Sequence, residues 1–96
     1  MSIKISEERF GTLAICALRY CQGRRTYMPS LVQQIVGSHL SELSDKDINV
    51  MVEDCQFQRR MNLYGDDCDK ADWLKWEEKV TAERNRRSYA ERKHDL

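Results

Sequence analysis

The segment Cys21-Gln22-Gly23-Arg24-Arg25-Thr26-Tyr27-Met28-Pro29-Ser30 separates two runs of helical apolar spacing, and it constrains the fold more than any other. It holds the only proline and one of four glycines. Gly23 can take the left-handed conformation that closes a helix, and Pro29 has the fixed φ that suits a first helical turn. The stretch therefore reads as stop, connector, start. A chain punctuated this way forms separate helices that must pack on one another.

The apolar spacing supports this along the whole chain. Ser6 is placed as an N-cap, with Glu7 and Glu8 favouring the helix dipole. Phe10, Leu13, Ala14, Ala17, Leu18 and Cys21 then recur at three- and four-residue intervals, and Ile15 broadens the face. This predicts a first helix of about four turns ending at Gly23. Pro29 opens a second helix with the stripe Leu31, Val32, Ile35, Val36 and Leu40. Gly37 offers another backbone a close approach. After a connection over Ser38–Leu43, Ser44 and Asp47 resemble a capping box in front of Ile48, Met51, Val52 and Cys55. Phe57 is off that register, and Gly65 is expected to stop the helix. Asp69 is a candidate N-cap for a fourth helix containing Trp73, Leu74, Trp76 and Val80. Beyond Val80 the stripe fades. The expected fold is all-α, a compact bundle of four helices with an extended C-terminal helix. It divides into a single domain over 1–83 and a basic helical extension or frayed tail over 84–96. Ile3–Ile5 carries only a weak strand signal.

Composition bounds the function. Ninety-six residues suit one domain with a modest core. Sixteen Lys and Arg balance sixteen Asp and Glu, so the whole surface is neither a basic nucleic-acid binder nor an acidic mimic of one. Locally the balance breaks. Lys4, Arg9, Arg19, Arg24 and Arg25 outweigh Glu7 and Glu8 over residues 1–30. Glu42, Asp45, Asp47, Glu53 and Asp54 outweigh Lys46 over 31–58. Arg84, Arg86, Arg87, Arg92 and Lys93 outweigh Glu91 over 84–93. Charged residues interrupt any N-terminal leader pattern, and no run is long and apolar enough to span a membrane. The expected location is the cytoplasm of whatever cell makes the chain, where the four cysteines stay reduced.

No residue set has a catalytic pattern. The cysteines lack the tight pairs of a zinc module, leaving only a site assembled across the fold from Cys55, Cys68 and His39 as an alternative to plain thiols. Neither His39 nor His94 has a nucleophile at motif spacing. The acids Asp66, Asp67, Asp69 and Asp72 lack the spacing of a calcium loop. Helix capping accounts for them, and an acidic patch for a partner's Arg or Lys is the functional alternative. No cofactor, metal or catalytic residue is assigned. The candidate partner-binding residues are Arg24, Arg25, Tyr27, Asp66, Asp67, Asp69 and Trp76, the last as a partly exposed aromatic anchor. Trp73 is expected in the core. The alternative is a nucleic-acid-binding regulator using the second and third helices or the tail residues Arg84, Arg86, Arg87, Arg92 and Lys93. A homodimer suits so short a chain, with Trp76 and Tyr89 as spare aromatics.

Two stretches, Ala17-Leu18-Arg19-Tyr20-Cys21-Gln22-Gly23-Arg24-Arg25-Thr26-Tyr27-Met28-Pro29-Ser30 and Gly65-Asp66-Asp67-Cys68-Asp69-Lys70-Ala71-Asp72-Trp73, resemble the signature segments of a family of small proteins. That family is encoded by phages and mobile elements of low-GC Gram-positive bacteria. The resemblance spans roughly residues 8–80 and leaves out the basic tail. Orphan proteins of this size and source include anti-CRISPR proteins. Membership implies a stoichiometric inhibitor that binds a type II CRISPR effector nuclease or its guide-bound form. The neutral charge departs from inhibitors that imitate DNA over their whole surface, which leaves binding through local patches.

Overall fold

The computed structural model describes residues 5–22, 29–65 and 67–94, the side chains of 67, 68 and 89–94 excepted. Over these residues the chain is all-α. Helix α1 spans Glu7–Cys21, α2 spans Pro29–Gly37, a short 3-10 helix spans Leu40–Glu42, α3 spans Asp45–Met61 and α4 spans Asp67–His94. No strand occurs among the described residues. Of the weak strand signal at Ile3–Ile5, only an exposed, irregular Ile5 falls within them.

The helix starts follow local chemistry. Ser6 caps α1, its hydroxyl accepting from the Arg9 amide at 3.2 Å. Pro29 is the first residue of α2, where its missing N–H costs nothing. Ser44 caps α3, its hydroxyl accepting from the Asp47 amide at 3.1 Å. Leu43 before the cap and Ile48 four residues after it are both buried in the same core, a hydrophobic staple that fixes how the chain enters α3.

Two boundaries correct the sequence reading. Helix α3 stops three residues earlier than Gly65 would have it. Asn62 takes the left-handed conformation, with φ 54° and ψ 48°. The Leu63 amide then donates to the Gln58 carbonyl at 3.0 Å and the Asn62 amide to the Arg59 carbonyl at 3.3 Å, a Schellman closure. Gly65 also has positive φ, but in the connector that follows. Helix α4 begins at Asp67, which places Asp69 inside its first turn rather than at its cap. Helix α1 ends at Cys21, with Gln22 extended; Gly23 lies outside the described residues.

Helices α2 and α3 each pack against both α1 and α4. The core they enclose is built on Leu18 of α1, Val36 of α2, Ile48, Met51 and Val52 of α3, and Trp73, Trp76 and Val80 of α4. Among the described residues, the ion pairs of Arg19 with Asp54, Arg59 with Glu77 and Arg87 with Asp45 each cross between helices and end on α3. At Gly11 of α1 a Cβ would collide with the Asp47 carboxylate of α3, so the glycine lets those helices close up. Gly37 admits side chains rather than another backbone: Lys79 Nζ lies 2.8 Å, and the Trp76 ring 3.4 Å, from where its Cβ would stand.

Candidate interaction surface

The sequence places its candidate partner residues on two connectors. Arg24, Arg25, Tyr27 and Asp66 lie outside the described residues, as does the side chain of Asp67. Whether the two connectors pair therefore also lies outside them. Asp69 is half-buried and engaged with a neighbour. Asp72 lines a groove between α2 and α4 with Ser30, Gln33, Gln34, Lys75, Trp76 and Lys79.

Trp76 departs from its expected role. It is 3% exposed and belongs to the core, so it is no exposed anchor. The physical reason is the width of the buried arc of α4. That helix packs on both α2 and α3, and an arc touching two neighbours takes in Trp76 as well as Trp73.

The basic end of α4 is also more engaged than a solvated extension would be. Arg87 donates from Nη1 to Asp45 Oδ1 and from Nη2 to the Leu40 carbonyl, each at 2.8 Å. It thereby ties α4 to the corner between the 3-10 helix and α3. Arg86 grips Glu83 with two bonds, 2.6 and 2.9 Å. The Arg86 bonds hold the Glu83 carboxyl below the usual carboxylate range against the opposing effect of its burial, and the nearby Arg86 and Arg87 charges add to this. Arg84 is half-buried beside Arg87 in a small cleft with Asp45, Ile48, Asn49 and Ser88. Of the five basic residues, these three are thus partly committed to the fold. The side chains of Arg92, Lys93 and the dimer candidate Tyr89 lie outside the described residues. The division drawn at 83/84 falls inside one continuous helix.

The cysteines separate by environment. Cys16 is exposed, whereas Cys21 and Cys55 are buried. Burial pushes the Cys55 thiol up to about 12, with the Glu77 and Asp54 carboxylates adding to the effect. Such a thiol is a poor nucleophile and a poor metal ligand at neutral pH. His39 is elsewhere, exposed, with its ring edge-on to Phe10 and its Nδ1 bonded to Glu42. Among the described residues no group of three or more His, Cys, Asp or Glu could hold a metal ion. The Cys68 side chain lies outside them.

The structure exposes several apolar side chains, and three of them, Leu13, Leu31 and Ile35, the periodicity had assigned to the buried stripes. Leu13 and Tyr20 of α1 are 57% and 51% exposed. Leu31 and Ile35 of α2 are about half exposed. Phe57 and Met61 of α3 are 47% and 58% exposed, and Leu63 follows them onto the surface. Leu13, Cys16, Ala17 and Tyr20 stand at i, i+3, i+4 and i+7, so they form one stripe along α1. This stripe is about 140° around the helix from the buried stripe of Gly11, Ala14, Leu18 and Cys21. Phe57 and Met61 form a second, shorter patch one turn apart at the end of α3. The off-register position of Phe57 was the one sequence signal for it.

Among the described residues no helix is long and apolar enough to cross a membrane. Comparison adds no relative to this geometry: no family model, curated protein or solved structure matches the chain.

Proposed function

We propose that this chain is a non-enzymatic interaction protein that docks a partner protein on the C-terminal end of α3. The observation that carries the reading is the exposed trio Phe57, Met61 and Leu63. Phe and Met are enriched in the cores of protein interfaces. The trio is also held on a stiff support. Gln58, 1% exposed, donates from Nε2 to the Leu63 carbonyl at 2.8 Å, and the Schellman closure fixes the same turn. A preordered surface loses little entropy on binding. From here the sequence runs directly into the acids Asp66, Asp67 and Asp69, a composition that suits a basic partner.

The resemblance of the two connector segments makes a type II CRISPR effector nuclease the first partner to try, with the chain acting as a stoichiometric inhibitor. Pull-down and DNA-cleavage assays test this. Binding with reduced cleavage, both lost in a Phe57→Asp, Met61→Asp double variant of unchanged helix content, is the expected result. No binding and undiminished cleavage overturn the nuclease as partner. Retained binding by the double variant overturns the surface. The alternative of a nucleic-acid-binding regulator has less support, because Arg86 and Arg87 already hold carboxylates. A steep salt dependence in a DNA or RNA mobility shift would favour it.

A further inference from the structure

The groove between α2 and α4 is built from one face of each helix. Ser30, Gln33 and Gly37 stand at i, i+3 and i+7 along α2, and Asp72, Lys75, Trp76 and Lys79 at i, i+3, i+4 and i+7 along α4. Between the two faces lies a space of about 320 Å³, the size of a small-molecule site. Gln33 lines this space and is only 9% exposed, and its amide Nε2 is buried with no hydrogen-bond partner. A buried donor left unbonded works against folding, so the fold alone gives no reason for an amide here. We propose that the groove binds a phosphate dianion, free or carried as the monoester of a small molecule, with Gln33 as the donor at its floor and Lys75 and Lys79 as its counter-charges.

The polar groups around Gln33 match that ligand. Lys75 and Lys79 have no ion pair among the described residues. Lys79 reaches across to α2, its Nζ 2.8 Å from where a Cβ on Gly37 would stand, one turn along from Gln33. A side chain at that position would displace the ammonium, so Gly37 keeps the cation in the groove. Helix α2 also opens here. Ser30 lies in its first turn, which carries no acid, and a helix N-terminus favours an anion. Against these the groove sets one carboxylate, Asp72, among its described lining residues. Donors thus come from both helices: the Gln33 amide and Ser30 hydroxyl from α2, and two ammonium groups from α4. A phosphate dianion presents three terminal oxygens to them, all acceptors, where a carboxylate presents two. The Gln33 amide turns about a soft final torsion, which lets Nε2 meet an oxygen that enters the groove.

Nuclear magnetic resonance of the isotope-labelled full chain tests the proposal. Inorganic phosphate and glycerol phosphate are titrated separately at neutral pH and constant ionic strength, with acetate as the control anion. The expected result is a saturable shift of the Gln33 side-chain amide and of the α2 backbone amides, with a Kd of about 1 mM or tighter. The tighter of the two phosphates identifies the carrier. Gln33→Leu should weaken binding about tenfold or more while the urea midpoint stays or rises, because it removes a buried donor that has nothing to bond. A purely structural Gln33 predicts the reverse, a lower midpoint. The double variant Lys75→Gln, Lys79→Gln alters only exposed side chains and should weaken binding by a similar factor at unchanged helix content. Asp72→Asn removes the opposing charge and should tighten it. No saturable shift with either phosphate, acetate binding as tightly as phosphate, or binding that survives both Gln33→Leu and the double lysine variant overturns the proposal.

Discussion

The outward faces of α1 and α4 are built on opposite plans. Both helices bury one side against α2 and α3. The outer face of α4 carries Lys75, Glu78, Lys79, Asn85 and Arg86, with Leu74 the one large exposed apolar side chain among its described residues. The outer face of α1 carries Leu13, Cys16, Ala17 and Tyr20. The contrast extends inward. Helix α4 puts two tryptophans and Val80 into the core, whereas α1 offers Gly11 and Ala14 with Leu18 and Cys21. Thus α4 spends its bulk inside and its charge outside. Helix α1 is small inside, where it must approach α3 closely, and large outside. This difference shows that the distribution of size around a helix, as much as its hydrophobic content, tells which face a second molecule could use.

Site-resolved thiol labelling in dilute protein sharpens the comparison most. Cys16 should react freely and Cys55 only on unfolding, a rate difference of about a thousandfold or more. Comparable rates would remove the distinction between outer and inner faces. The same burial makes stability depend on alkaline pH. The Cys55 thiol is raised to about 12 in the folded state, against an unfolded value near 9, so the folded state holds the proton more tightly. Its contribution is complete below about pH 9 and is lost as pH rises toward 12. Urea titrations across this range should show a falling midpoint, and Cys55→Ala should flatten that dependence.

Substitutions then rank the faces. Trp76→Ala on the inner side of α4 should cost about 3–5 kcal/mol in urea unfolding, whereas an exposed anchor would lose almost nothing. Arg87→Ala should cost about 1–3 kcal/mol, because it leaves the Leu40 carbonyl and Asp45 without their shared donor. A loss below about half a kcal/mol would mean that the end of α4 is solvated after all. Leu13→Gln should change the stability of the chain by no more than about 0.5 kcal/mol, the smallest effect of the series. A larger loss would place Leu13 in the monomer core.

The sequence made the starts of α1, α2 and α3 legible, because Ser6, Pro29 and Ser44 act on the few backbone groups beside them, whereas a run of acids around Asp69 hid the start of α4 at Asp67. Stops were harder to place. Asn62 and Gly65 both accept a left-handed conformation, and the chain turns at the one whose following residue, Leu63, can return to Gln58. Side choice was the least legible. An apolar set wider than a third of the helix circumference contains both core and surface members, and only the neighbours decide between them. Leu13, Leu31 and Ile35 fell on the wrong side for that reason. Trp76 erred in the opposite direction, because the sequence does not reveal that α4 touches two helices at once. The Arg87 contacts span more than forty residues, and no local pattern announces them.

Arg87 has a consequence for how independently the parts of the molecule open. Among the described residues, every buried hydrophobic residue of the core lies between Ala14 and Val80, so this guanidinium stands two turns past the last of them. The corner at Leu40 and Asp45 is fastened by a polar clasp outside the hydrophobic core, and Arg87→Ala should speed amide hydrogen exchange at that corner while the amides around Ile48, Val52 and Val80 stay protected.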